Sequence, residues 1–276
     1  MRGEFIEVWS ETWREIWSKL ALQKTAPCDL FCELYDELIC ALKVKPSVQQ
    51  LAEITNDPEI SEEAFANTKA ADLSSEWALI LFLESTHGIL DELGGNSLAN
   101  YYFSLLEIFI DKFNLRYDLR RPCTLCPTLP GMFASLVCDL RMLTSHDAHL
   151  NSLMKDFENA VRNLRTDCSD GQIKTCIQKQ VNLLEAMGCS YPGVTKNTLG
   201  EICDQVGTWP HFRVKDAMKN LYRFSSDYPG IRHGGTPSNA IRAIDMRDMI
   251  AMSILLSGFV PYLTDQLDTD VIYRGR

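Results

Sequence analysis

Between Asn220 and Leu263 the chain reads NLYRFSSDYPGIRHGGTPSNAIRAIDMRDMIAMSILLSGFVPYL, and here residue types and spacing come nearest to chemistry. Tyr228-Pro229-Gly230 and Gly234-Gly235-Thr236-Pro237 bracket Ile231-Arg232-His233, so turn-forming residues present an arginine and a histidine between two helical segments. Histidine titrates near neutral pH and exchanges protons as acid or base, and the forked donors of arginine stabilise a pentacoordinate phosphoryl charge. With Arg223 upstream, Arg232 and His233 form the candidate catalytic set, and metal-independent RNA cleavage is the chemistry they would serve. The plainer reading is structural: Arg232 ties the loop down through hydrogen bonds to carbonyls, and His233 caps a neighbouring helix.

Charge adds a second candidate role. The formal charge is -10, which argues against a nucleic-acid footprint over the whole surface. Residues 1–100 carry 18 acidic and 7 basic side chains, whereas residues 101–276 carry 19 and 20, so the acidity belongs to the first part. Between Trp209 and Arg247, Arg213, Lys215, Lys219, Arg223, Arg232, Arg242 and Arg247 face only Asp216, Asp227 and Asp245 in sequence, a local balance of +4. Arg213, Lys215, Lys219, Arg242 and Arg247 are therefore the candidate phosphate or nucleic-acid contacts.

Two further patterns carry weaker signals. Cys123-x-x-Cys126 is half of a zinc site, with His146-x-x-His149 as the nearest second half. Two residues between the histidines is a shorter spacing than zinc sites use, so unliganded thiols beside a proline turn are expected, with no metal and no cofactor. Lys112, Arg116, Arg120 and Arg121 recur at helical spacing and read as a solvated helix end whose cations complement the dipole.

The elements that must position these residues are helical. Trp9, Trp13, Ile16, Trp17 and Leu20 share one helical face and predict a core stripe. Further helices are expected over 29–43, over 47–55 behind a Ser47-x-x-Gln50 capping box, after Ser61, over 75–93 up to Gly94-Gly95, and over 97–121. The prolines of PCTLCPTLPG break the pattern, and Pro130 suits the first turn of the next helix. Helices over 146–166, 170–187, 198–207 and 210–224 follow, then a last, strongly apolar one capped by Asp245 and expected at the centre of a bundle. Nothing reads as a sheet. The expected fold class is all-α, a multi-helix bundle with an acidic N-terminal domain over 1–145 and a C-terminal helical domain over 146–276.

The longest apolar run, Trp77 to Leu83, is too short to span a bilayer, and the acidic, periodic N-terminus reads as part of the fold rather than a secretory signal. Ten cysteines spread over this length read as buried thiols of a cytoplasmic protein.

The stretch from Asn220 to Leu263, a helix ending near an arginine, a loop with an Arg/His-Gly element and a long apolar helix, resembles the C-terminal region of abortive-infection proteins and, more broadly, HEPN domains. The resemblance extends over about residues 146–264. It implies a prokaryotic antiviral-defence or toxin role, homodimers or heteromeric partners, and an RNase site built from paired Arg-His sets. The family's nuclease motif holds four to six residues between Arg and His; here nine separate Arg223 from His233, and Arg232 is adjacent to it.

Three readings follow. The first is a defence-type helical protein whose HEPN-like domain binds RNA, a nucleotide or a partner protein. The second is a noncatalytic helical adaptor or regulatory subunit, motivated by the acidic first part and the tryptophan stripe. The third is a small-molecule regulator with the basic loop as phosphate seat, which requires a concave pocket at that loop.

Overall fold

The structure, a computed structural model, describes residues 3–235 and 237–275, with the side chain of Asn239 also outside the description; Thr236 of the expected turn falls outside it. Among the described residues the chain is all-α apart from one hairpin, and it divides into two units, residues 1–136 with 270–276, and residues 137–269. This division falls inside a helix, before the boundary expected after residue 145, and the final residues group with the first unit. Sequence periodicity marks where helices start and stop, not where packing between them ceases.

In the first unit, α1 (Trp9–Thr12), a π-helical turn (Trp13–Trp17) and α2 (Ser18–Ala21) run on without a break. The tryptophan stripe is core: Trp9, Ile16, Trp17 and Leu20 are buried, and Trp13 packs 5.4 Å from the Phe31 ring. Trp17 stacks on Tyr102 at 5.7 Å and meets Phe65 edge-on at 5.1 Å. The indole N–H groups are satisfied, by Thr68 O for Trp9 and by Thr12 Oγ1 for Trp17, as burial of a donor requires. Next come α3 (Leu30–Leu38), α4 (Val48–Thr55) behind the Ser47/Gln50 capping box, and α5 (Pro58–Asn67), which starts before Ser61 because Asp57 caps it and Pro58 fits its first turn.

The long α6 (Glu76–Phe113) is two helices joined at Gly95, whose φ of 67° and ψ of -177° only glycine adopts readily, so the Gly94-Gly95 break holds. The second half stops at Asn114 in the left-handed region rather than continuing to Arg121. Beyond it β1 (Tyr117–Arg120) pairs antiparallel with β2 (Thr124–Pro127), Leu119 opposite Leu125. This hairpin corrects the expectation of no sheet: Tyr117, Cys123 and Leu125 are buried while Asp118, Arg120 and Thr124 are exposed, an alternation too short to outweigh the helical pattern before it.

The helix α7 (Leu129–Ser145) carries the chain into the second unit, made of α8 (Ala148–Asn163), α9 (Asp170–Cys189), α10 (Leu199–Gln205), α11 (Phe212–Asp227), α12 (Met246–Gly258) and α13 (Val260–Leu263). The chain ends in α14 (Thr269–Arg274). The centre of the second unit is α9, not α12. Ile173, Cys176, Ile177, Gln180, Val181, Leu183, Leu184 and Met187 bury most of its circumference, against α8, α10, α11, α12 and α13. Although α12 is strongly apolar in composition and its Asp245 capping box is present, it fully buries only Met252, Leu256 and Ser257. Met246 and Met249 are partly buried against the core, while Ile250, Ala251, Ile254 and Leu255 are exposed.

Candidate functional site

The loop after α11 is built on its glycines. Gly230 has φ +81° and its N–H bonds to His233 O at 3.0 Å, closing the turn. Gly235 has φ +58°, and a Cβ there would lie 2.8 Å from Asp227 O and from the Pro229 backbone, so only glycine lets the loop double back on the end of α11. Ile231 is buried and pins the loop to the core of the unit.

That anchoring turns Arg232 and His233 in different directions. Arg232 points inward: its Nη2 donates to Glu185 Oε2 of α9 at 2.7 Å, and its guanidinium lies 4.9 Å from the Tyr222 ring centre. The other oxygen of Glu185 accepts the Leu199 N–H at the start of α10, so one carboxylate ties the loop to two helices. Burial raises the Tyr222 phenol above its ordinary pKa, and Arg232 opposes that shift. Arg232 Nη1 is buried without a hydrogen-bond partner among the described residues. His233 is exposed on the outer side of the loop, as is Arg223 on α11. Arg232 therefore forms a structural cluster with Glu185 and Tyr222.

The remaining expected anion contacts are mostly paired. Lys215 and Lys219 both reach Asp204, at 3.1 and 2.6 Å, and Lys219 chiefly holds that carboxyl below its ordinary range. Arg242 grips Asp248 with two bonds of 2.7 Å and reaches Asp245 at 3.3 Å. Arg247 pairs with Asp245 at 2.6 Å and, as the main cause, pulls that carboxyl down to about 2. Arg213 stacks over Phe212 at 4.9 Å. Arg213 and Arg223 are the exposed cations of this set without an ion pair among the described residues. The +4 balance between 209 and 247 omitted Glu185, Asp204 and Asp248, which lie outside that window and neutralise cations within it.

A concave pocket does exist beside the loop. A cavity of about 510 Å³ is lined by Phe224, Asp227 and Tyr228 at the end of α11, by Ile241, Arg242 and Ile244, and by Asp248 in the first turn of α12. The Tyr228 hydroxyl donates to Arg242 O at 2.7 Å and fixes one wall.

Cys123 and Cys126 belong to the first unit and His146 and His149 to the second, and among the described residues no cluster of three or more His, Cys, Asp or Glu is arranged to hold a metal. Burial, reinforced by Glu84, pushes the Cys123 thiol up to about 12, away from the thiolate a metal needs. Arg141, at nuclease-like spacing from His146, bonds instead to Glu158. No described helix is long and apolar enough to cross a membrane.

The first unit holds a polar cluster that sequence reasoning missed. Arg116 is 1% exposed; it pairs with Glu4 at 3.1 Å and donates to Ile272 O and Tyr273 O at 2.6 and 2.9 Å. The expectation of a solvated cation at a helix end is corrected here: α6 has already ended, and Arg116 anchors the returning C-terminal residues. Glu76, fully buried, accepts from the N–H groups of Phe5 and Ile6 and from the Tyr117 hydroxyl.

No family model, curated protein or solved structure matches the chain.

Proposed function

We propose that the protein is a helical binding and assembly module rather than the RNase that the resemblance to helical defence proteins implies, and that, like the homodimers of that resemblance, its second unit associates with a second copy of itself through the outward face of α12. The observation that carries this reading is the stripe Ile250, Ile254 and Leu255, exposed by 51%, 54% and 46% in a helix whose composition suits burial. Ala251 and Gly258 fall on the same face, and contiguous apolar surface of this kind marks association sites. The stripe is self-complementary. In an antiparallel pairing about its centre, Ile250 of one copy faces Leu255 of the other, an isologous arrangement closed by a twofold axis. Arg247, at the start of the stripe, then lies near the carbonyl end of the opposing helix, where a cation is favoured.

Light scattering at increasing concentration tests this. Wild-type protein is expected to approach twice the chain mass, and Ile254→Asp, at a half-exposed site that the fold tolerates, to remain monomeric. A charge placed in a hot-spot position typically weakens association by more than about 2 kcal/mol. Wild-type protein that stays monomeric throughout removes the reading.

A second reading, RNA binding, is favoured by Arg213 and Arg223, exposed and free of ion pairs among the described residues, and by the outward His233. The net charge of -10 opposes it.

A further inference from the structure

We propose that the cavity at the end of α11 is a binding site for an amphipathic organic cation, an ammonium or guanidinium group on an apolar or aromatic stem. This goes beyond assembly through α12 and reverses the sign of ligand expected from the sequence. The volume of about 510 Å³ lies within the range of small-molecule sites, and Phe224, Tyr228, Ile241 and Ile244 supply an apolar wall. The Phe224 and Tyr228 rings stand 5.5 Å apart at 56°, offering edges and faces to a stem. Ile241 is 101% exposed at the rim, an arrangement that packing within the chain does not require.

The charges decide the ligand class. Arg242 is the cation among the lining residues, and both of its outer donors are already committed to Asp248 at 2.7 Å. An anion therefore meets a guanidinium whose charge Asp248 and Asp245 already neutralise. Asp227, in contrast, is exposed and has no ion pair or side-chain hydrogen bond among the described residues. It is also the last residue of α11, where a negative charge opposes the helix dipole, so helix stability does not account for it. Tyr228 is compatible with cations: Lys174 Nζ lies 5.6 Å from its ring centre, and that lysine is neutralised by Asp170 at 2.8 Å. A cationic head therefore finds a free carboxylate beside aromatic carbon.

Calorimetric titration of the full chain with 2-phenylethylamine and with phenylacetate, which share a ring and differ in charge sign, tests the assignment. The amine is expected to bind about tenfold more tightly than the acid, and Asp227→Asn to remove most of that preference. Asp227→Asn should fold with an unchanged or slightly raised melting temperature, because it relieves the dipole conflict. Ile241→Ser, at a side chain with no packing to lose, should weaken both ligands without altering the preference. A parallel titration with N-acetyl-phenylalanyl-lysine amide distinguishes sources of the cation: tighter binding than the free amine assigns the site to a basic side chain of a protein, and weaker binding to a small molecule. Equal or tighter binding of phenylacetate, an amine affinity indifferent to Asp227→Asn, or no binding of any probe would overturn the proposal.

Discussion

Replacing Arg116 by methionine is expected to destabilise the first unit by about 3 to 5 kcal/mol, the range for breaking a buried ion pair from one side. The substitution deprives Glu4 of its guanidinium and the carbonyls of Ile272 and Tyr273 of their donors, all in a region where Arg116 itself is 1% exposed. Lysine is not a substitute, because one ammonium cannot present donors in the planar fork that spans a carboxylate and two carbonyls. Urea unfolding followed by tryptophan fluorescence reports this unit, since Trp9, Trp13, Trp17 and Trp77 lie in it and Trp209 in the other. Arg120→Met is the control: that side chain is largely exposed on β1 and its pairing with Asp118 contributes little, so no resolvable change in stability is expected. A loss below about 1 kcal/mol for Arg116→Met would show that the C-terminal residues are not held through it.

The second large effect is a pH dependence centred on Glu76. Burial is the main cause that raises this carboxyl to about 7; the N–H groups of Ile6 and Phe5 and the Tyr117 hydroxyl pull it back, and Glu4 adds to the rise. In the unfolded chain the same group ionises near its ordinary 4.5. Between those values the folded state holds a proton that the unfolded state has lost, so stability is greatest below about 4.5 and falls as pH rises through about 7. The loss is of order 3 kcal/mol at most, since each pKa unit corresponds to about 1.4 kcal/mol. Glu15 and Asp245, both held down to about 2, titrate below this window. Urea unfolding at pH 5 and pH 8 should show the fall in the wild type and its disappearance in Glu76→Gln, which keeps one acceptor oxygen for Phe5 and Tyr117 but cannot ionise. An equal fall in both proteins would assign the dependence to other groups.

Much of the fold was legible because its signals are local. The tryptophan stripe, the Ser47/Gln50 and Asp245 caps and the Gly94-Gly95 break each depend on residues within a few positions of one another, and each stands in the structure where its pattern lies. What was not legible depends on residues distant in sequence. The partners of Arg116 include carbonyls more than 150 residues away, and no periodicity marks a cation that will be buried. The Arg232-His233 loop was legible as a place where turns present polar side chains, but Glu185, which engages Arg232, lies 47 residues upstream. Likewise α12 reads as the most buried helix from composition alone. Burial is set by what surrounds a helix, and α9 holds the central position.

The central claim is that the Arg232-His233 loop is a structural anchor within a binding module, and metal-free incubation with RNA tests it most directly. Purified protein is incubated with labelled single-stranded RNA in the presence of a chelator, alongside His233→Ala. His233 is exposed and Arg232 is committed to Glu185 and Tyr222, so the account predicts intact RNA in both reactions. RNA cleavage by the wild type that is lost in His233→Ala, with the helical circular-dichroism spectrum unchanged, would contradict it and make the loop a nuclease site.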